Sequence, residues 1–121
     1  MVRPPPLGPG ERIVASWSAE LVPTDESSPR PGQLLVTTSH CRFFARAGPF
    51  GSRWETRPAF SVPLGAIRAV EGRSFAMSIG YGDRVAIPGV AIDGVAFRLA
   101  RGDTPSQVGA AIASARGAAP S

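Results

Sequence analysis

The chain has 121 residues, enough for one domain with a single core and too few for two. Apolar residues make up 43% of it and charged residues 18%, a composition that excludes an intrinsically disordered chain. The net charge of +4 is too modest to select a class of partner by itself. The 14 glycines and 13 prolines favour short elements joined by turns, which indicates a mainly β fold.

The single cysteine, Cys41, has no second cysteine for a disulfide or a zinc site, which favours a reducing compartment. No run of 18 apolar residues predicts a membrane span. The prolines of MVRPPPLGPG stand where a signal peptide needs its apolar helix. We therefore expect a cytoplasmic protein whose membrane contact, if any, is peripheral, with no cofactor and no metal.

The first ten residues, 1–10, are rich in proline and glycine and are predicted to form a flexible lead-in. From Ile13 to Val22 the residues alternate in the way typical of a half-buried strand, with Trp17 in the core. The segment PTDESSPRPG, residues 23–32, collects turn formers and predicts a loop.

The middle of the chain predicts further strands. Two strands, 33–38 and 41–47, are joined by a tight connection, and a glycine-marked loop, 48–58, leads to a strand at 59–64. A segment at 66–71 follows, and Ile67 and Val70 are the apolar residues that would hold it against the core. The first two of these strands are predicted to fold back on each other.

Asp93-Gly94 is the clearest local signal in the sequence. It separates the alternating runs 84–92 and 95–100, and Asp-Gly is a preferred two-residue hairpin turn because both central positions need positive φ. A further strand is predicted at 74–79. Within the run 84–92, Pro88 followed by glycine indicates a strand edge or a bulge.

The last element is a predicted helix. Thr104 is a good N-cap, Pro105 suits the first helical position, and Gln107 completes a capping box. An apolar stripe with helical spacing follows, made of Val108, Ala111, Ile112 and Ala115. With the helix ending near Arg116, one domain spans 11–117, with about seven strands and then one helix, and 118–121 form a frayed tail.

Several short motifs together carry a resemblance to a known superfold. They are Gly10-Glu11, Gly32, Leu34, Val36, Thr37, Phe43, Phe44, Val62-Pro63-Leu64 and Ile67. In this order, followed by hairpins and a final helix, they resemble the pleckstrin-homology-like (PH-like) superfamily, most closely its GRAM and small bacterial branches. The resemblance implies a bent antiparallel β-barrel or sandwich of about seven strands, capped by a C-terminal α-helix. It also implies a non-catalytic binding module for phosphoinositides, anionic lipids or proteins, in some members an oligomer.

The sequence departs from the pattern of phosphoinositide-binding PH domains. Those domains typically carry a basic cluster across the first two strands and the loop between them. Here that loop carries Asp25 and Glu26 with only Arg30, and the second strand has no basic residue. This departure counts against specific phosphoinositide binding.

His40 and Cys41 are adjacent and suggest nucleophilic chemistry at first sight. Neighbouring residues on a strand point to opposite faces, so the two side chains are poorly placed to pair, and a metal site lacks ligands. We interpret them as a turn histidine and a buried or half-buried cysteine, and expect no catalytic residues and no enzyme activity.

One concentration of basic and aromatic residues is present in the chain. It consists of Arg42, Arg46, Phe50, Arg53, Trp54 and Arg57. This cluster would bind acidic lipid headgroups with Phe50 or Trp54 at the interface, stack on single-stranded nucleic acid, or anchor a protein. The plain alternative is a solvated arginine face with Trp54 folded back on the barrel.

Phe44 breaks the strand alternation: if Phe43 faces the core, Phe44 shares the outward face with Arg42 and Arg46, where it is an interface residue or is covered by a helix or the N-terminal arm. The first functional prediction is therefore an adaptor that binds a protein or assembles with itself, through the face around Phe44 or an exposed sheet edge. The alternative is peripheral binding to anionic lipid headgroups through the arginine and tryptophan loop. Nucleic acid is not the expected partner.

Overall fold

The computed structural model describes residues 7–24, 28–51, 53–78, 80–100 and 102–118. These described residues contain eight β-strands and one α-helix. The strands are β1 (Ile13–Val22), β2 (Arg30–Thr37), β3 (His40–Ala47), β4 (Arg53–Trp54), β5 (Phe60–Pro63), β6 (Val70–Ser78), β7 (Arg84–Ile92) and β8 (Val95–Leu99). The helix α1 spans Pro105–Ala118, and short 3₁₀ turns lie at Pro49–Gly51 and Leu64–Ala66.

All strands belong to one antiparallel sheet in the order β4-β3-β2-β1-β8-β7-β6, with β5 paired to β3 beside β4. The mainly β fold with a capping C-terminal helix is confirmed. The sheet differs from the prediction in being open, because β4 and β6 at its two ends do not pair. The count is eight because the two-residue β4 forms inside the predicted loop 48–58.

The core lies on one face of the sheet, as the alternation of the strands requires. Trp17 of β1 is buried there, as predicted. Phe43 and Phe97 pack with ring centroids 5.3 Å apart, and Phe60 meets Phe97 edge-on at 5.2 Å. Leu64, Ile67 and Leu99 also belong to this cluster, and Val95 packs against it. Ile13 does not belong to this cluster, because the first residues of β1 are exposed.

The helix α1 covers the core as its sequence predicts. Gln107 N–H donates to Thr104 Oγ1 at 3.3 Å, and Thr104 N–H donates to Gln107 Oε1 at 3.1 Å, which completes the capping box. Val108, Ile112 and Ala115 are buried against the strands, and Ala111 is half-buried. The helix continues to Ala118, slightly beyond the predicted end.

The hairpin between β7 and β8 also forms as predicted. Asp93 and Gly94 have φ values of 50° and 84°, so both central positions are left-handed. Pro88 lies where β7 is unpaired on one side, because the pairing with β8 begins only at Gly89. The strand predicted at 74–79 starts earlier in the structure, at Val70. The 3₁₀ turn before it ends at Ala66, with Ile67 as its C-cap, so the chain is free to extend into β6 soon afterwards.

Candidate functional site

His40 and Cys41 do not form a reactive pair. The Cys41 side chain is fully buried in the core, and burial raises its pKa to about 12. His40 Nδ1 instead lies 2.7 Å from Ser39 Oγ, at the turn before β3. The geometry therefore leaves the thiol protonated at neutral pH, with no base beside it.

The Arg42 guanidinium is held by Glu11 and Ser61. Its Nε and Nη2 donate to the two carboxylate oxygens of Glu11 at 2.9 and 3.1 Å, and its Nη1 donates to Ser61 Oγ at 2.7 Å. Thr37 Oγ1 and the N–H of Gly8 also donate to Glu11. These bonds connect the start of the domain to β3, and the place of Arg42 among the ligand-contact residues stays a prediction.

The Glu11 carboxylate is buried as an anion. Its side chain is only 4% exposed. Desolvation by itself would raise its pKa, but the hydrogen bonds from Arg42, Thr37 and Gly8, with the charge of Arg42, lower it from 4.5 to about 2. The residues just before β1 are therefore fixed to the sheet through Glu11. The sequence predicts a flexible lead-in over 1–10, but residues 8–10 belong to the folded domain.

The chain after β3 folds back along the same strand. Gly48 and Gly51 adopt positive φ around the 3₁₀ turn at Pro49–Gly51 and reverse the chain direction. Arg46 then pairs with Trp54 and Ala47 with Arg53. This hairpin positions the arginine and tryptophan side chains that the sequence singled out.

Arg46 lies directly over the Trp54 ring, with 4.5 Å between its guanidinium carbon and the ring centroid. Its Nη1 donates to the carbonyl oxygen of Gly51 at 3.1 Å. A Cβ on Gly51 would lie 3.1 Å from Arg46 Cδ, so the glycine leaves room for this packing. Trp54 is consequently half-buried and fixed, not an exposed ring free to insert.

A cleft of about 440 Å³ opens beside Trp54. It is lined by Ala47, Arg53, Trp54, Glu55, Thr56 and Arg57, and we call it the arginine cleft. Arg53 and Arg57 are exposed on it. Arg46 lines a second, smaller cleft of about 240 Å³ that also contains the ion pair between Glu20 and Arg98. Arg46 and Trp54, which stack on each other, thus line different clefts.

Charge is unevenly distributed around the arginine cleft. Glu55, its one carboxylate, is paired with Arg30 at the start of β2. Within the described residues, Arg46, Arg53 and Arg57 form no salt bridge. The corner formed by these side chains therefore carries three positive charges that no described carboxylate neutralises.

Four residues that the sequence singled out need separate comment. Phe44 lies on the outward face as predicted, but it is 1% exposed and offers no surface to a partner. The side chain of Phe50, and Asp25 and Glu26 in the loop between β1 and β2, lie outside the described residues. Glu55 and Thr56 were not among the predicted site residues, although both lie in the predicted loop 48–58.

No family model matches the sequence, and comparisons with curated proteins and with solved structures found no similar chain. Among the described residues, no group of three or more histidine, cysteine, aspartate or glutamate side chains is close enough to hold a metal ion. The only helix within the described ranges is α1, and it is too short to cross a membrane.

Proposed function

We propose that this chain is a non-catalytic binding module that meets anionic phosphate headgroups on a membrane surface through the arginine cleft. The observation that carries the proposal is the set of three exposed arginines, Arg46, Arg53 and Arg57, which surround Trp54 without a described carboxylate partner. Guanidinium groups donate in a planar fork that matches phosphate oxygens. A reversible, peripheral contact at the cytoplasmic face belongs to the same proposal.

The fixed Trp54 argues for headgroups over nucleic acid. Binding of single strands relies on aromatic faces that are open for bases to stack on. Here Arg46 already covers a face of the Trp54 ring, and the indole is half-buried. What remains accessible is a concave cationic surface, which suits a compact anionic headgroup.

Kinship with PH-like domains of the GRAM or small bacterial type is part of this proposal. An open antiparallel sheet followed by one capping helix is compatible with it. The predicted self-assembly through the face around Phe44 loses its surface, since Phe44 is buried. Assembly through a sheet edge is a separate proposal that concerns β6.

Cosedimentation with lipid vesicles tests the proposed function. Vesicles of phosphatidylcholine alone are compared with vesicles that also contain phosphatidylserine. Each arginine near an anionic surface contributes about 1 kcal/mol, so Arg53→Ala with Arg57→Ala should lower the affinity roughly 30-fold. The matched control, Arg84→Ala with Arg116→Ala, removes the same charge from exposed positions elsewhere and should change binding much less.

The salt dependence gives a second readout. Binding should weaken steeply above physiological ionic strength, where the screening length is about 8 Å. Equal losses in the two double variants would mean that net charge alone attracts the protein to the vesicles. That result, or binding that needs no anionic lipid, would contradict the proposal.

A further inference from the structure

The hairpin formed by β6 and β7 extends beyond the rest of the sheet. β8 pairs with β7 only from Gly89 to Ile92, whereas β6 and β7 pair with each other from Val70 down to Ser78. The part between Ser74 and Pro88 is therefore a two-stranded ribbon, which we call the arm. Two strands without a third are marginally stable in water.

The arm is also unusually apolar for an exposed ribbon. Asp83 and Arg84, at its tip, are the only charged residues between Ser74 and Pro88. Phe75, Val85 and Ile87 are only half-buried, and Tyr81 at the tip is fully exposed. An apolar ribbon of this kind is typical of a surface that another chain covers.

The free edge of the arm belongs to β6. Among the described residues, β6 pairs only with β7, although it is nine residues long and contains no proline. The Asp93 N–H donates to the Ala69 carbonyl at 2.9 Å, so residue 69 bonds towards β7. By alternation, the residues at even positions from 70 to 78 direct their N–H and C=O groups away from the sheet.

Pro88 supports this assignment. It is paired with Ser74 across the hairpin, and a proline has no N–H to donate. A pair that makes no mutual hydrogen bond tolerates proline, which places the polar backbone groups of Ser74 on the free edge. On the free side of β7, Pro88 therefore has no N–H to offer to a further strand. The free edge of β6 contains no proline and can pair along its whole length.

We propose that the edge of β6 pairs antiparallel with β6 of a second copy of this chain, centred on Ser74. Only this register pairs all nine residues of the strand, because Ser74 is its midpoint. It sets Arg73 of each copy opposite Phe75 of the other, on one face of the joined sheet, where a guanidinium and a ring attract. No like charges are opposite each other in this register.

Self-complementarity is what favours a second copy over a foreign strand. The register centred on Arg73, one position away, would oppose two arginines and is disfavoured. Glu71 and Arg73 already interact at 3.4 Å, and both side chains are about half exposed. The strand is thus charged near its root and apolar along the arm, and the register centred on Ser74 pairs its full length without opposing like charges.

This dimer leaves the arginine cleft free. Five antiparallel pairings separate β3 from β6, so the two strands run in opposite directions. The turn after β3 and the tip of the arm therefore lie at opposite ends of the sheet. The dimer and the headgroup site can be tested, and can fail, independently.

Light scattering over a range of protein concentrations tests the dimer. The expected mass is twice the chain mass of 12.6 kDa. Ser74→Pro removes the central outward N–H without removing a hydrogen bond to β7, so it should give a monomer with an unchanged circular dichroism spectrum. The control Ser74→Ala keeps that N–H and should remain a dimer.

A disulfide test reports on the register. The Ser74→Cys variant should form an intermolecular disulfide under mild oxidation, since opposed strand residues lie within the range that a disulfide spans. Ala86→Cys, exposed on the same arm but one strand further from the partner, should not. The native Cys41 is buried and does not interfere. A monomer at all concentrations, a dimer that survives Ser74→Pro, or equal crosslinking of both variants would overturn the proposal.

Discussion

The buried carboxylate of Glu11 yields the prediction that the structure quantifies best. In the native protein its pKa is lowered from 4.5 to about 2 by Arg42, Thr37 and Gly8, against the opposing effect of burial. Each tenfold change in proton affinity corresponds to about 1.4 kcal/mol, so the ionised group contributes about 3 kcal/mol to the free energy of unfolding at neutral pH. Because the native pKa is the lower one, this contribution is present above pH 4.5 and is lost as the pH falls towards 2.

The assay is urea denaturation of the protein and of Glu11→Gln at several values between pH 6 and pH 2. The difference in unfolding free energy between the two proteins should shrink by about 3 kcal/mol over that range, because protonated glutamate and glutamine are alike in charge. Glu71→Gln, which removes an exposed carboxylate, serves as the control and should change stability by no more than about 0.5 kcal/mol. A difference for Glu11→Gln that does not vary with pH would refute the reasoning.

Three further predictions concern the core. Cys41 should react with a thiol reagent at pH 8 only as fast as the protein unfolds, because its thiol is buried and its pKa is about 12; fast reaction of the native protein would contradict its placement. Gly89→Ala should destabilise by about 1–3 kcal/mol in denaturant melts, because the new methyl would overlap the Phe75 ring and approach the Phe97 carbonyl to 2.8 Å. Gly65→Ala, with open space around it, is its near-neutral control. Ile112→Ala should cost about 2–5 kcal/mol in the same melts, and a loss below 1 kcal/mol would mean that α1 does not cap the core.

The elements that the sequence predicts correctly are those specified by neighbouring residues. The turn at Asp93-Gly94 needs two positive φ values, and the residue pair that tolerates them is adjacent in the chain. The helix start is likewise encoded within four residues by Thr104, Pro105 and Gln107. Strand alternation predicted the inward position of Trp17 in β1 for the same reason.

The features that escaped prediction depend on contacts between distant segments. Glu11 meets Arg42 across 31 positions, and no local pattern announces that an exposed-looking glutamate will bury its carboxylate there. The two-residue β4 is too short to show a period, and it forms because the glycines before it return the chain to β3. Phe44 is 1% exposed, and whether such a residue is covered or forms an interface depends on tertiary packing.

The candidate site was predicted in composition and not in geometry. Arg46, Arg53, Trp54 and Arg57 do lie at one corner of the sheet, as their proximity in the sequence indicates. The stacking of Arg46 on Trp54 and the pairing of Glu55 with Arg30 could not be predicted, since each depends on the exact register of β4. Because Glu55 pairs with Arg30, it does not neutralise Arg53 or Arg57, and the stacking fixes Arg46 beside them.

The fluorescence of Trp54 during a titration with anionic vesicles tests the central claim most directly. The second tryptophan, Trp17, is buried in the core and is replaced by phenylalanine so that Trp54 alone reports. The account predicts a saturable change in emission at low salt, reversed by high salt and absent in Arg53→Glu with Arg57→Glu. Vesicle binding without any change at Trp54, or an undiminished change in that double variant, would contradict it.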